Sequence, residues 1–246
     1  MTTALYLYGI VSTSDMPRAV RCRGVAGADT TLLAEGEVAA VTAAVPADFV
    51  AGRADLMAHS DVLQEIVGAH DVLPVGFGTL FTSVEELSAG FLRPNHDELV
   101  RMLRRTHGLV EVQVKGEYDE EAVARAVAAS DPAIARLQRR ARDRGDVDGM
   151  IDLGHRFAQA LDRQRYSDAR AIVDALSPHA QDVAVGDAAG EYGLVDAAFL
   201  VARTDLPEFD TAAARAAEAL SDRAALRAVG SLPPYSFVDA GALVTS

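Results

Sequence analysis

Hydrophobic residues in the first part of the chain occur in short runs that are separated by polar turns. Residues 5–11 form an apolar and aromatic run, which predicts a buried strand near the N-terminus. Residues 30–34 and 38–45 are two further β-prone runs, and the Glu-Gly-Glu sequence between them has the length and composition of a hairpin loop. The pattern therefore predicts three strands, two of them joined as a hairpin.

After residue 55 the apolar spacing changes to that of a helix. Leu56, Leu63, Ile66, Val67 and His70 form one stripe, and the residues between them are mostly polar. We therefore predict an amphipathic helix, followed by two shorter helices at residues 85–91 and 97–106.

The segment between these helices, residues 71–81, is apolar but interrupted. Pro74 cannot donate a hydrogen bond within a central strand, and Gly76 and Gly78 permit unusual backbone angles. An edge strand or an irregular crossing is therefore expected here.

The second half of the chain has the pattern of a βαββαβ unit. Residues 109–115 alternate apolar and polar positions, which predicts a half-exposed strand. Three helices are predicted next, at residues 120–130, 132–144 and 149–176. Two strands at residues 181–185 and 194–202, a helix at residues 208–221 and a strand at residues 225–229 follow. A break of the longest helix near Tyr166 is left open.

This order predicts an α+β chain with two domains. The N-terminal α+β domain covers residues 1–108, and a ferredoxin-like C-terminal domain covers residues 109–246. The second domain carries a helical insertion and an extended C-terminal tail.

Composition and charge narrow the function classes. The 246 residues are 50% hydrophobic and have a net charge of -13. Binding to nucleic acid or to an anionic membrane surface needs a basic domain, but Asp and Glu outnumber Lys and Arg in both halves of this chain. The sequence has no signal peptide pattern and no run of about 18 apolar residues, so we expect a cytoplasmic protein that does not span a membrane.

No pattern for catalysis, cofactor binding or metal binding stands out. The six histidines include no pair at i, i+4 spacing, and the glycines of residues 76–78 lack the third glycine of a dinucleotide loop. Cys22 lies between Arg21 and Arg23, which could lower the pKa of its thiol, although a loop thiol without a function is the simpler interpretation. We therefore predict no catalytic residue, no cofactor and no metal, and hence a protein that is not an enzyme.

Two apolar segments remain outside these classes, residues 72–79 and residues 230–238. In the second, Pro233 and Pro234 favour an extended backbone, which would place Tyr235 and Phe237 on the same side. This segment either packs onto its own domain as a tail or holds another protein. The candidate protein-interaction residues are Pro74, Phe77, Pro233, Pro234, Tyr235 and Phe237.

Three motifs resemble those of the gas vesicle protein F/L family. They are Tyr-Leu-Tyr-Gly-Ile at residues 6–10, Leu-Pro-Val-Gly-Phe-Gly-Thr at residues 73–79 and Gly-Ser-Leu-Pro-Pro-Tyr-Ser-Phe at residues 230–237. The chain departs from the family's usual pattern at Gly76, where arginine is usual, and at Ser231, where proline is usual. The basic residues are almost all arginine, as in proteins from GC-rich genomes such as those of actinobacteria.

The resemblance implies an assembly factor or minor structural protein, located at the gas vesicle in the cytoplasm. The implied partners are the very apolar shell protein, of the GvpA type, and other gas vesicle accessory proteins. It leaves open the oligomeric state and whether the protein stays in the mature vesicle. The competing hypothesis is a small-ligand enzyme or sensor on the ferredoxin-like domain, for which several of Asp152, His155 and Arg156 would converge in a deep pocket.

Overall fold

The computed structural model describes residues 3–17, 20–144 and 147–238, with the side chains of residues 140–144 and 147–148 left out of the description. No helix in these described ranges combines the length and the apolar character needed to cross a membrane.

The N-terminal sheet is antiparallel and centred on its first strand. Its strands are β1 (Thr3–Ser12), β2 (Thr30–Glu35), β3 (Val38–Pro46), β4 (Leu73–Pro74) and β5 (Leu80–Phe81). The order is β2-β3-β1-β4, and β5 also pairs with β1. The predicted hairpin is confirmed, and its tight turn contains Gly36 with a φ of 61°, a left-handed angle that glycine adopts without strain.

The interrupted segment after the first helix forms an edge of this sheet, as expected. Pro74 of β4 lies opposite Gly9, and Leu80 of β5 lies opposite Tyr6. Between these two short strands the chain leaves the ladder, because a proline followed by two glycines does not sustain regular pairing.

Three helical segments accompany the sheet: α1 (Arg53–Val67), a π-helical segment (Glu86–Leu92) and α2 (His96–Arg105). The predicted stripe on α1 is partly wrong. Leu56 is 47% exposed, and His70 lies beyond the end of the helix. The buried face instead begins at His59 and continues through Val62, Leu63, Ile66 and Val67, because His59 lies at helical spacing from these residues.

The second sheet has the strand order of a ferredoxin-like unit. It contains β6 (Leu109–Tyr118), β7 (Asp182–Gly186), β8 (Gly193–Ala202) and β9 (Ala224–Leu232) in the order β7-β8-β6-β9. Helices α3 (Glu120–Ser130), α4 (Pro132–Arg144) and α5 (Val147–Leu176) connect β6 to β7, and α6 (Leu206–Leu220) connects β8 to β9. The α+β class, the βαββαβ order and the helical insertion are therefore confirmed.

The long helix α5 has no break at Tyr166. Tyr166 and Ser167 are only mildly unfavourable in helices, and neither proline nor glycine is present to interrupt the hydrogen bonds there.

The chain forms two compact units that are interleaved in sequence. One contains residues 1–112, 200–203 and 230–246, and the other contains residues 113–199 and 204–229. The C-terminal segment thus belongs to the same unit as β1 and α1. The domain boundary predicted after residue 108 stays a prediction.

Candidate protein-binding site

The six candidate interaction residues all lie in the first unit, but they differ in exposure. Phe77 is 38% exposed and Tyr235 is 45% exposed, whereas Phe237 is half-buried. The three prolines of the set are buried. The aromatic side chains therefore offer accessible surface, while the prolines shape the backbone that carries them.

The C-terminal segment is a turn, which corrects the expected extended strap. The Tyr235 N–H donates to the Pro233 carbonyl at 2.8 Å, and the Phe237 N–H donates to the Pro234 carbonyl at 3.2 Å. Proline restricts its own φ and the residue before it, but it leaves the residues after Pro234 free to turn. The segment contacts His59 and Glu111 of the first unit, and its binding to another protein stays a prediction.

Phe77, Pro233 and Tyr235 come together at a groove of about 400 Å³. Its apolar lining is formed by Leu56, Leu63, Phe77, Leu232 and Pro233. Its polar lining includes His59, Glu111 and Tyr235. Because Leu56, Phe77 and Tyr235 are each more than one third exposed, the groove presents apolar surface to solvent.

His59 is the buried centre of this site, with only 3% of its surface exposed. Its Nδ1 lies 2.9 Å from the Tyr6 hydroxyl, and its Nε2 lies 3.0 Å from the Tyr235 hydroxyl. Burial lowers the pKa of His59 to about 4, so the imidazole is neutral at physiological pH. The sequence analysis assigned no role to His59, although its helical spacing from the buried residues of α1 was an available signal.

Aromatic rings enclose this imidazole. Tyr8 stacks on it with ring centroids 5.6 Å apart, and Phe77 meets it edge-on at 5.7 Å. Tyr6 and Tyr8 are fully buried, and burial raises the pKa of Tyr8 to about 12. The Tyr-Leu-Tyr sequence of β1 therefore places two tyrosines on one face of the strand, where both rings pack against His59.

Glu111 departs from the alternation predicted for residues 109–115, which holds at Gln113 and Lys115. Only 4% of Glu111 is exposed, and burial raises the pKa of its carboxyl group. The carboxylate accepts hydrogen bonds from the Ser236 N–H at 2.8 Å and the Ser236 hydroxyl at 3.0 Å. The alternating pattern predicted an exposed Glu111. It could not indicate the burial, because the segment that covers Glu111 is 125 residues away in the chain.

Cys22 is not an activated thiol. Burial is the main cause that raises its pKa, to about 11, and the Glu65 carboxylate adds to the effect. Glu65 also accepts hydrogen bonds from the backbone N–H groups of Arg21 and Cys22. The hypothesis of a lowered pKa from Arg21 and Arg23 is therefore wrong, because burial and the Glu65 carboxylate both favour the neutral thiol.

The residues named for a small-ligand site do not form one. Asp152, His155 and Arg156 are exposed on α5, and Arg156 pairs with Asp131 at 3.0 Å. In the part of the chain that the structure describes, no three His, Cys, Asp or Glu side chains are grouped so that they could hold a metal ion. The positions of Asp152, His155 and Arg156 therefore give no support to the enzyme or sensor hypothesis.

Comparison with known proteins gives a consistent set of relatives. The family model described as "Gas vesicle synthesis protein GvpL/GvpF" matches residues 4–239. Gas vesicle protein F from a Streptomyces species is 34% identical over 95% of this chain and 99% of its own length. Gas vesicle protein F from Microcystis aeruginosa is 23% identical over 96% of this chain and 98% of its own length.

Solved structures share the fold. The crystal structure of GvpF from an Anabaena species has a TM-score of 0.83 at 24% identity and covers 96% of this chain and 98% of its own. The crystal structure of GvpF from Microcystis aeruginosa has a TM-score of 0.78 at 22% identity, covering 95% of this chain and 98% of its own.

Proposed function

Because the chain belongs to the gas vesicle synthesis protein GvpL/GvpF family, we propose that it binds the gas vesicle shell protein during vesicle formation. In this proposal it acts at the gas vesicle in the cytoplasm, as an assembly factor or minor structural component. The shell protein binds at the groove around His59, and other gas vesicle accessory proteins are further partners.

The exposed apolar lining of the groove is the observation that supports this proposal. Full burial of a large apolar side chain contributes about 1.5–3 kcal/mol, so covering the exposed parts of Leu56, Phe77 and Tyr235 contributes about 1 kcal/mol each. This free energy is gained when an apolar partner covers the groove and removes these side chains from water. The net charge of -13 keeps such a binding protein soluble while it holds an aggregation-prone subunit.

Capture of the co-expressed shell protein on the tagged chain tests the proposal, with a matched pair of variants on α1. Leu56 lines the groove and is 47% exposed, whereas its neighbour Met57 is 58% exposed and does not belong to the lining described above. We expect Leu56→Ser to weaken capture roughly fivefold, since about 1 kcal/mol of apolar contact is lost. Met57→Ser should leave capture unchanged. Equal capture by both variants and the wild type would move the binding surface elsewhere.

The C-terminal turn is tested separately. A double variant with Tyr235→Ala and Phe237→Ala removes both aromatic side chains of the turn, and we expect it to lose capture of the shell protein. Unchanged capture would remove the turn from the binding surface. Immunodetection on purified vesicles, before and after a wash that strips surface proteins, distinguishes a resident component from a transient factor.

A further inference from the structure

A chain of hydrogen bonds runs through the floor of the groove. The Gly78 N–H donates to the Tyr6 hydroxyl at 3.0 Å, Tyr6 reaches His59 Nδ1, and His59 Nε2 reaches the Tyr235 hydroxyl. A backbone N–H can only donate, so the Tyr6 oxygen is an acceptor at its first contact.

The direction of the remaining bonds follows from the burial of Tyr6. Its hydroxyl has one proton, and His59 Nδ1 is its acceptor among the described residues. If Nδ1 carried a proton instead, the Tyr6 proton would be buried without an acceptor, which is unfavourable. Tyr6 therefore donates to Nδ1, and the single proton of the neutral imidazole resides on Nε2.

Nε2–H then donates to the Tyr235 oxygen, so the hydroxyl proton of Tyr235 is available to another acceptor. Within residues 3–17, 20–144 and 147–238, no side chain or carbonyl accepts it, and the nearby Glu111 carboxylate is engaged by Ser236. The groove therefore contains a hydrogen-bond donor at the edge of an apolar lining.

Charge restricts the acceptor that this donor fits. His59 is neutral, and Glu111 is the ionisable acidic group of the lining, which contains neither Lys nor Arg. A carboxylate or phosphate of a ligand would be repelled by Glu111 and would find no cation. The acceptor that remains is an uncharged oxygen, and apolar segments of proteins supply one in every peptide carbonyl.

We infer that the groove binds an uncharged, apolar segment of the shell protein through a peptide carbonyl that accepts the Tyr235 hydroxyl proton, with His59 as the positioning residue that directs this proton. This inference rests on the proposed function and adds the chemistry of the contact.

Nuclear magnetic resonance of the imidazole nitrogens in the full chain tests the positioning role without any partner. We expect the nitrogen chemical shifts of His59 to show a protonated Nε2 and an unprotonated Nδ1 at neutral pH. A protonated Nδ1 would overturn the inference, because Tyr235 would then donate to His59 and have no free proton.

Titration of the shell protein in detergent onto Tyr235→Phe tests the contact itself. This variant keeps the ring and removes the donor, so we expect affinity to fall roughly tenfold, as for one hydrogen bond. Tyr166→Phe is the control, since Tyr166 is 70% exposed on α5, and its affinity should be that of the wild type.

The outcomes separate the two claims. Wild-type affinity in Tyr235→Phe, with loss of affinity in Leu56→Ser, overturns the carbonyl contact and leaves shell binding intact. Absence of binding by the wild-type chain overturns the proposed function and the contact together. Thermal unfolding of Tyr235→Phe checks that any loss of affinity does not come from a loss of folded protein.

Discussion

Acid should destabilise the first unit through His59. Its pKa is about 4 in the folded chain and about 6.5 when unfolded, so the unfolded state binds more protons between these values. The free energy of unfolding therefore falls as the pH decreases through this window. The shift corresponds to a loss on the order of 3 kcal/mol by pH 4, of which about 2 kcal/mol is lost between about pH 7 and about pH 5.

The substitution His59→Gln isolates this contribution. Glu111 changes the free energy of unfolding in the opposite direction, because its raised pKa makes the folded state bind a proton more readily as the pH falls. This contribution is present in both proteins. The difference between wild type and variant therefore reports His59. His155→Gln is the matched control, since His155 is exposed on α5, and it should keep the wild-type pH dependence.

Hydrogen exchange in urea, read at the amides of β1 and β3, measures the free energy of opening of this unit alone. The measurements near pH 5 lie close to the sequence pI of 4.8, where the net charge is small, so a low protein concentration is used to limit association. Parallel pH profiles for wild type and His59→Gln would refute the reasoning, because they would mean that folding does not change the pKa of His59.

Three further predictions concern stability. Arg223→Ala removes the bidentate partner of the buried Asp168 carboxylate, with contacts of 2.9 and 3.0 Å, and should cost about 3–5 kcal/mol in urea unfolding. Ala26→Gly should raise the melting temperature, because the φ of 53° at Ala26 costs about 1 kcal/mol that glycine does not incur. Gly9→Ala would place a Cβ 2.6 Å from the Leu73 carbonyl oxygen, so the strand pairing should loosen and exchange protection of β1 should fall. An unchanged unfolding midpoint for either of the first two variants, or unchanged exchange protection for Gly9→Ala, would contradict the stated cause.

Pattern alone placed most helices and strands of this chain near their observed positions. Alternation and helical spacing depend on neighbouring residues, so the hairpin, the edge segment and the βαββαβ order could be predicted without contacts. The exception on α1 shows the limit. Leu56 fits an apolar stripe, but its exposure depends on which neighbours cover the helix, and spacing carries no such information.

The sequence by itself determined the fold class, the acidic surface and the family to which the chain belongs, because each depends on local pattern, composition or motif. Only the tertiary structure decided the site. His59 contacts partners 53 and 176 residues away, and Glu111 meets Ser236 across 125 residues. Burial and hydrogen-bond direction arise where these distant segments meet, so a histidine and a glutamate that look like ordinary surface residues in the sequence become the polar floor of an apolar groove.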